Sequence, residues 1–339
     1  MSPSEIFKNR FTWILITVII AVFVLSRVTM KKSRDSKTVI AKDSLTPAGF
    51  VWNPPDSNAI PYTSAGDLIR YGKKLIVNTS FYFGPKGTIA ALSNGMNCQN
   101  CHLEGGTRLY GNNYSAVFSS YPKFRERSGT IENIYKRIND CMERSLNGRS
   151  LDTTSREMKA MSAYINWVGQ AVPKNIKPTG AGIPDINFLD AAADTAEGHV
   201  VYLQKCQSCH GHDGQGLKKS DSTGYAYPPL WGRNSYTTSA GLYRISRFAG
   251  FVKNNMPYNV TQINQKITTE QAWDLAAFVN SQTRPDKKYP GDWPDISGKP
   301  IDYPLGPYSD SFTEKQHKYG PFGPIQIARK RKKPTRHQS

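Results

Sequence analysis

Cysteine is scarce in this chain: five among 339 residues. Acid is scarce too, with 26 Asp and Glu against 44 Lys and Arg, for a formal charge of +18. That imbalance suits an acidic membrane surface, an acidic protein partner, anionic substrates or nucleic acid. No zinc-finger spacing and no aromatic-basic RNA signature is present, which sets nucleic acid aside. Long apolar runs are also missing, with one exception. Phe11–Ser26 carries no charge, and Arg27 could snorkel to extend the run to about Met30. Lys8 and Arg10 precede it and no A-x-A-like cleavage site follows, so residues 1–35 read as an uncleaved signal-anchor. A cleaved signal peptide and a buried core helix are the alternatives. Arg27, Lys31, Lys32 and Arg34 count against export under the positive-inside rule; the chemistry of the cysteines argues for it.

Four of the five cysteines fall in two copies of one pattern, CQNCH at 98–102 and CQSCH at 206–210. C-x-x-C-H is the covalent attachment motif of a c-type haem, in which two thiols bond the porphyrin and the histidine ligates iron. A zinc site of two C-x-x-C pairs would leave both following histidines unexplained. Cys98, Cys101, Cys206 and Cys209 are therefore expected to attach two haems, with His102 and His210 as proximal ligands. The distance between the motifs suits two modules. Helical patterns at 67–79 and 195–204 precede the motifs, and amphipathic patterns at 155–170 and 268–283 close the modules. The expected fold is mostly α, with two tandem cytochrome c-like domains behind an N-terminal membrane anchor. The boundaries are 36–171, a Pro/Gly-rich linker at 172–190, and 191–290; residues 291–339 are expected as irregular chain wrapping the second module, plus a basic tail.

A six-coordinate haem needs a second axial ligand. In the second module Met256, in NNMPYN, is the leading choice and Lys253 the alternative. His212 is too close to His210 to reach the opposite face. In the first module no histidine follows His102 until His199. Cys141 lies about as far beyond His102 as Met256 lies beyond His210, so it is a distal candidate, with Met142 as its rival and a buried free thiol as the bland reading. A thiolate ligand would lower the iron potential.

Residues 84–152, with the local motifs YPKFRERSG and RINDCMERSLNG, resemble the first domain of the dihaem thiosulfate dehydrogenases that form tetrathionate. Those resemble the Sox-type sulfur-oxidation cytochromes in using a Cys-ligated haem. The likeness extends over roughly 65–285, through CQSCHGHDGQG and NNMP. It implies that Cys141 is the distal ligand of the active-site haem, that Arg127 and Arg137 line the substrate pocket, and that Met256 ligates an electron-transfer haem. Arg108 and Arg144 join the candidate set from charge and proximity to the motifs. Some members place a lysine directly before the methionine; Asn255 stands there in this chain.

The implied reaction couples two thiosulfates into tetrathionate and passes two electrons to an external cytochrome or other membrane acceptor. One like-charge pair at about 4 Å costs about 4 kcal/mol at an effective dielectric near 20. Arginines would offset that, since their planar fork suits sulfonate oxygens. The same residues are open to a tetrathionate reductase, a non-catalytic dihaem carrier or a dihaem peroxidase. The expected location is the periplasmic side of the inner membrane, or the free periplasm if the leader is cleaved.

Overall fold

The structure, a computed structural model, describes residues 50–221 and 223–332. The apolar run expected as an anchor lies outside them, as does the end of the basic tail. Among the described residues no helix is long and apolar enough to cross a membrane.

The main helices are α1 (Ser64–Val77), α2 (Ile134–Asp140), α3 (Arg156–Gly169), α4 (Thr195–Lys205), α5 (Ile245–Asn255), α6 (Thr269–Ser281), α7 (Glu314–Tyr319) and α8 (Gly323–Lys332). Their starts are written in short polar side chains. Thr63, Asn133, Ser155, Asp194 and Thr268 each accept a backbone N–H of the first turn, and Thr268 forms a reciprocal capping box with Gln271.

Each module is a crossing of its first and last long helices, α1 with α3 and α4 with α6. A glycine sits at each crossing. A Cβ on Gly72 would lie 1.9 Å from the Ala160 carbonyl oxygen, and one on Gly198 would lie 1.9 Å from that of Asp274. Only glycine lets the backbones approach so closely. The crossings bury Leu75, Ile76, Met161 and Tyr164 in the first module and Tyr202, Trp273 and Leu275 in the second.

Between these helices the chain turns tightly. Hairpin β1 (Lys123–Arg125) and β2 (Thr130–Glu132) pairs Phe124 with Ile131. A second hairpin, β3 (Leu217–Lys218) with β4 (Tyr225–Tyr227), carries a register shift at Leu217/Lys218.

Two segments depart from expectation. The Pro/Gly-rich stretch between the modules is bonded wall: the Gly180 carbonyl accepts from Tyr110 N–H (2.8 Å) and the Gly182 carbonyl from Asn112 N–H (3.0 Å). The C-terminal stretch contains α7 and α8 and reaches both modules, not the second alone. Asp292 holds Arg144 of the first module at 2.6 Å, and Trp293 N–H donates to the Arg127 carbonyl. Phe322 packs on Phe188 and Trp273 of the second. The wrap follows long-range ion pairs and ring contacts, which no local pattern announces. Both modules and the wrap belong to one compact unit.

Candidate active site

The first C-x-x-C-H motif begins on a 3₁₀ turn, Cys98–Asn100, with Cys101 as its C-cap. Thr79 Oγ accepts the Cys98 N–H at 3.1 Å and fixes the turn against the end of α1. The thiols of Cys98 and Cys101 are unpaired, and burial pushes them up to about 11 and about 12. His102 stacks on Tyr114, and its Nδ1 lies 2.5 Å from the Asn112 carbonyl oxygen. A carbonyl can only accept, so Nδ1 carries the proton and Nε2 keeps its lone pair for a metal. Burial lowers His102 to about 4, keeping the ring neutral.

These residues face a cavity of about 810 Å³ whose apolar lining includes Ile76, Val117, Met161 and Ile165. Cys141 and Met142 line it too. Cys141 opens a π-helical turn, Cys141–Ser145, at the end of α2. Such turns are rare and recur at functional sites. Two free thiols beside a neutral imidazole, with a third sulfur on the wall of an apolar cavity, suit a covalently attached haem.

The remaining wall is cationic. Arg127, Arg137 and Arg144 line the cavity, joined by Lys123, Arg125, Lys177, Arg244 and Arg247, against the single carboxylate of Asp140. The Cys141 sulfur is the strongest influence on Arg137 and raises its guanidinium well above the ordinary value. Lys123 is lowered, first by burial and then by Arg125, Arg137 and Lys177. Mutual repulsion of this kind marks a site that an anion relieves. Arg127 is lowered by burial, and its Nε is buried with no hydrogen-bond partner.

Arg144 differs. Its guanidinium makes two bonds to Asp292 (2.6 and 2.7 Å), lies 3.7 Å from Asp140 and stacks 3.8 Å over Tyr289. Those contacts occupy both terminal nitrogens of the fork a substrate would need, and Nε is buried without a hydrogen-bond partner. Arg108 is not on the cavity wall at all. Its Nη2 donates to the Val260 carbonyl of the second module and its guanidinium stacks on Tyr258. Nearness in sequence misleads here because the chain after His102 passes through left-handed residues at Glu104, Gly105 and Gly106 and turns away.

Comparison with known proteins decides the family. Residues 89–173 match the SoxA/TsdA cytochrome c domain and residues 195–283 match the cytochrome c domain. The thiosulfate dehydrogenase of Stutzerimonas stutzeri is 32% identical over 234 residues, covering 69% of this chain and 73% of that one. That of Allochromatium vinosum is 34% identical over 235 residues, covering 68% and 83%. The chain belongs to the thiosulfate dehydrogenase family. A solved thiosulfate dehydrogenase (TsdBA) from Marichromatium purpuratum superposes with a TM-score of 0.65 at 26% identity; the match covers 77% of this chain and 54% of that one.

As a member of the thiosulfate dehydrogenase family the chain carries two c-type haems, one per cytochrome c domain. The second site repeats the first. His210 Nδ1 lies 2.8 Å from the Pro228 carbonyl oxygen, and burial lowers the ring as it does His102. Cys206 and Cys209 are unpaired, with Cys206 pushed up to about 12 by burial. Met256 caps the C-terminus of α5, half-buried against the core, and Lys253 sits in the last turn of the same helix.

Sequence reasoning passed over Lys123, Arg125, Lys177, Arg244 and Arg247. For two of them a signal existed: in KFR, the two-residue period of a strand places Lys123 and Arg125 on one face and Phe124 on the other. Phe124 is indeed exposed.

Proposed function

We propose that this chain oxidises thiosulfate to tetrathionate in the cavity shared by the first haem motif, Cys141 and the cationic wall. The observation that carries the reading is that one cavity brings together Cys98, Cys101, His102, Cys141 and Arg137. In this reading Arg137, Lys123 and Arg127 hold sulfonate oxygens and offset the repulsion between two dianions. Asn112 keeps the His102 ring in the tautomer that leaves Nε2 for iron. Cys141, on the wall of the cavity, would be a ligand to the haem iron when it is bound and presents its sulfur to the terminal sulfur of thiosulfate. Arg144 and Asp292 anchor the turn that carries it. When bound, the haems supply one-electron acceptors, and the two electrons of the coupling leave for an external cytochrome or another membrane acceptor. Met256 is the proposed distal ligand of the second module. The apolar N-terminal run and covalent haem attachment support a place on the periplasmic side of the inner membrane.

The test runs both directions on the haem-loaded protein. Thiosulfate should reduce an artificial acceptor with tetrathionate as product, faster than a reduced dye drives tetrathionate back to thiosulfate. A faster reverse reaction would make the chain a reductase, and no reaction in either direction would make it a carrier.

A further inference from the structure

The ligand loop of the second module is held by the first. Asn255, the last residue of α5, is 0% exposed. Its Nδ2 donates to the Phe251 carbonyl on its own helix at 3.0 Å, and to the Tyr110 carbonyl across the module boundary, also at 3.0 Å. Four residues on from Met256, the Val260 carbonyl accepts from Arg108 Nη2, and the Arg108 guanidinium lies 5.4 Å from the Tyr258 ring centroid. Met256 thus sits between two attachments, both made by residues 108–110.

Those residues are themselves rigid. Tyr110 and Asn112 adopt φ of 59° and 58°. For tyrosine that conformation costs about 1 kcal/mol and persists only where the surroundings fix it. Tyr110 N–H, Asn112 N–H and Asn113 Nδ2 are all bonded to the Gly180 and Gly182 carbonyls. The Asn112 carbonyl in turn accepts from His102. One short segment therefore supports the proximal ligand of the first module and the ligand loop of the second.

We propose that Asn255 and Arg108 are positioning residues that hold Met256 on the iron of the second module, so that axial ligation there is set from the first module. The proposal rests on Met256 as distal ligand. Axial ligation and its supporting bonds set a haem potential. Removing the Asn255 amide deletes two hydrogen bonds and leaves the part-buried Tyr110 carbonyl without this donor. The expected result is about a tenfold rise in haem lacking methionine, equivalent to about 1.4 kcal/mol.

The test uses the haem-loaded full chain as Asn255→Ala, Arg108→Ala and Arg108→Lys. The readouts are the methionine-to-ferric-iron charge-transfer band and the midpoint potential of the second haem. Both alanine variants should weaken the band and lower the potential, and Arg108→Lys, which keeps one donor for Val260, should recover part of each. If Asn255→Ala does not fold, the Arg108 pair carries the test. Alanine variants with a wild-type band and potential, whatever their melting temperature, would overturn the clamp. A wild type without the band would overturn the Met256 reading, and the clamp with it.

Discussion

Replacing Arg144 by alanine should cost stability rather than substrate affinity. Arg144 is 6% exposed at its side chain and Asp292 14%. The two share a bidentate contact at 2.6 and 2.7 Å, and Tyr289 covers the guanidinium face at 3.8 Å. Truncation leaves Asp292 largely buried without its bidentate cation, while Asp140 keeps Lys136 at 2.5 Å. Breaking one side of such a pair costs about 3–5 kcal/mol. For a chain this size each kcal/mol is worth roughly 2–4 °C, so the melting temperature should fall by about 10 °C. The Arg144→Met, Asp292→Leu double variant removes both charges and should regain much of the loss. Thermal melts of the haem-loaded variants measure this directly, beside KM for thiosulfate. A single variant with wild-type melting and a KM raised tenfold would refute the reasoning and return Arg144 to substrate binding.

Arg137→Leu and Lys123→Ala should act the opposite way. Each removes a charged donor from the cavity, worth about 1.5–3 kcal/mol to a charged ligand, so KM should rise roughly tenfold or more with little change in melting. The C-terminal wrap should loosen in acid. Burial pushes the Asp310 carboxyl up, but the His317 hydrogen bond and charge, the Phe312 N–H and Arg329 outweigh it and hold the carboxyl below its ordinary value. A depressed folded value gives stability that is full above the ordinary carboxylate range and is lost as pH falls through the folded value. Melting temperature should therefore drop below about pH 4, and Asp310→Asn should flatten that slope.

The helices were legible because their signals are local. Apolar spacing places α1, α3, α4 and α6 within a few residues of where the structure has them. The haem motifs were legible because covalent attachment demands contiguous residues. The π turn at Cys141 was not, since its Leu146 N–H to Cys141 carbonyl bond competes closely with ordinary helix bonding and tertiary packing decides the outcome. The cationic wall was half legible. Arg137 lies one turn before Cys141 on the same helix, whereas Arg244 and Arg247 enter from the second module. Arg108 and Arg144 look alike in the sequence, as basic residues near a motif. Only the fold shows one spanning the modules and the other bound to the C-terminal wrap.

The most direct test of the central claim is tetrathionate formation by Cys141→Gly beside the wild type, both carrying two covalent haems. The wild type should yield one tetrathionate for every two electrons passed to an artificial acceptor. The variant should keep its haems and lose turnover. A variant that turns over at the wild-type rate would contradict the account, leaving Cys141 a half-buried thiol on the wall of a cavity that works without it.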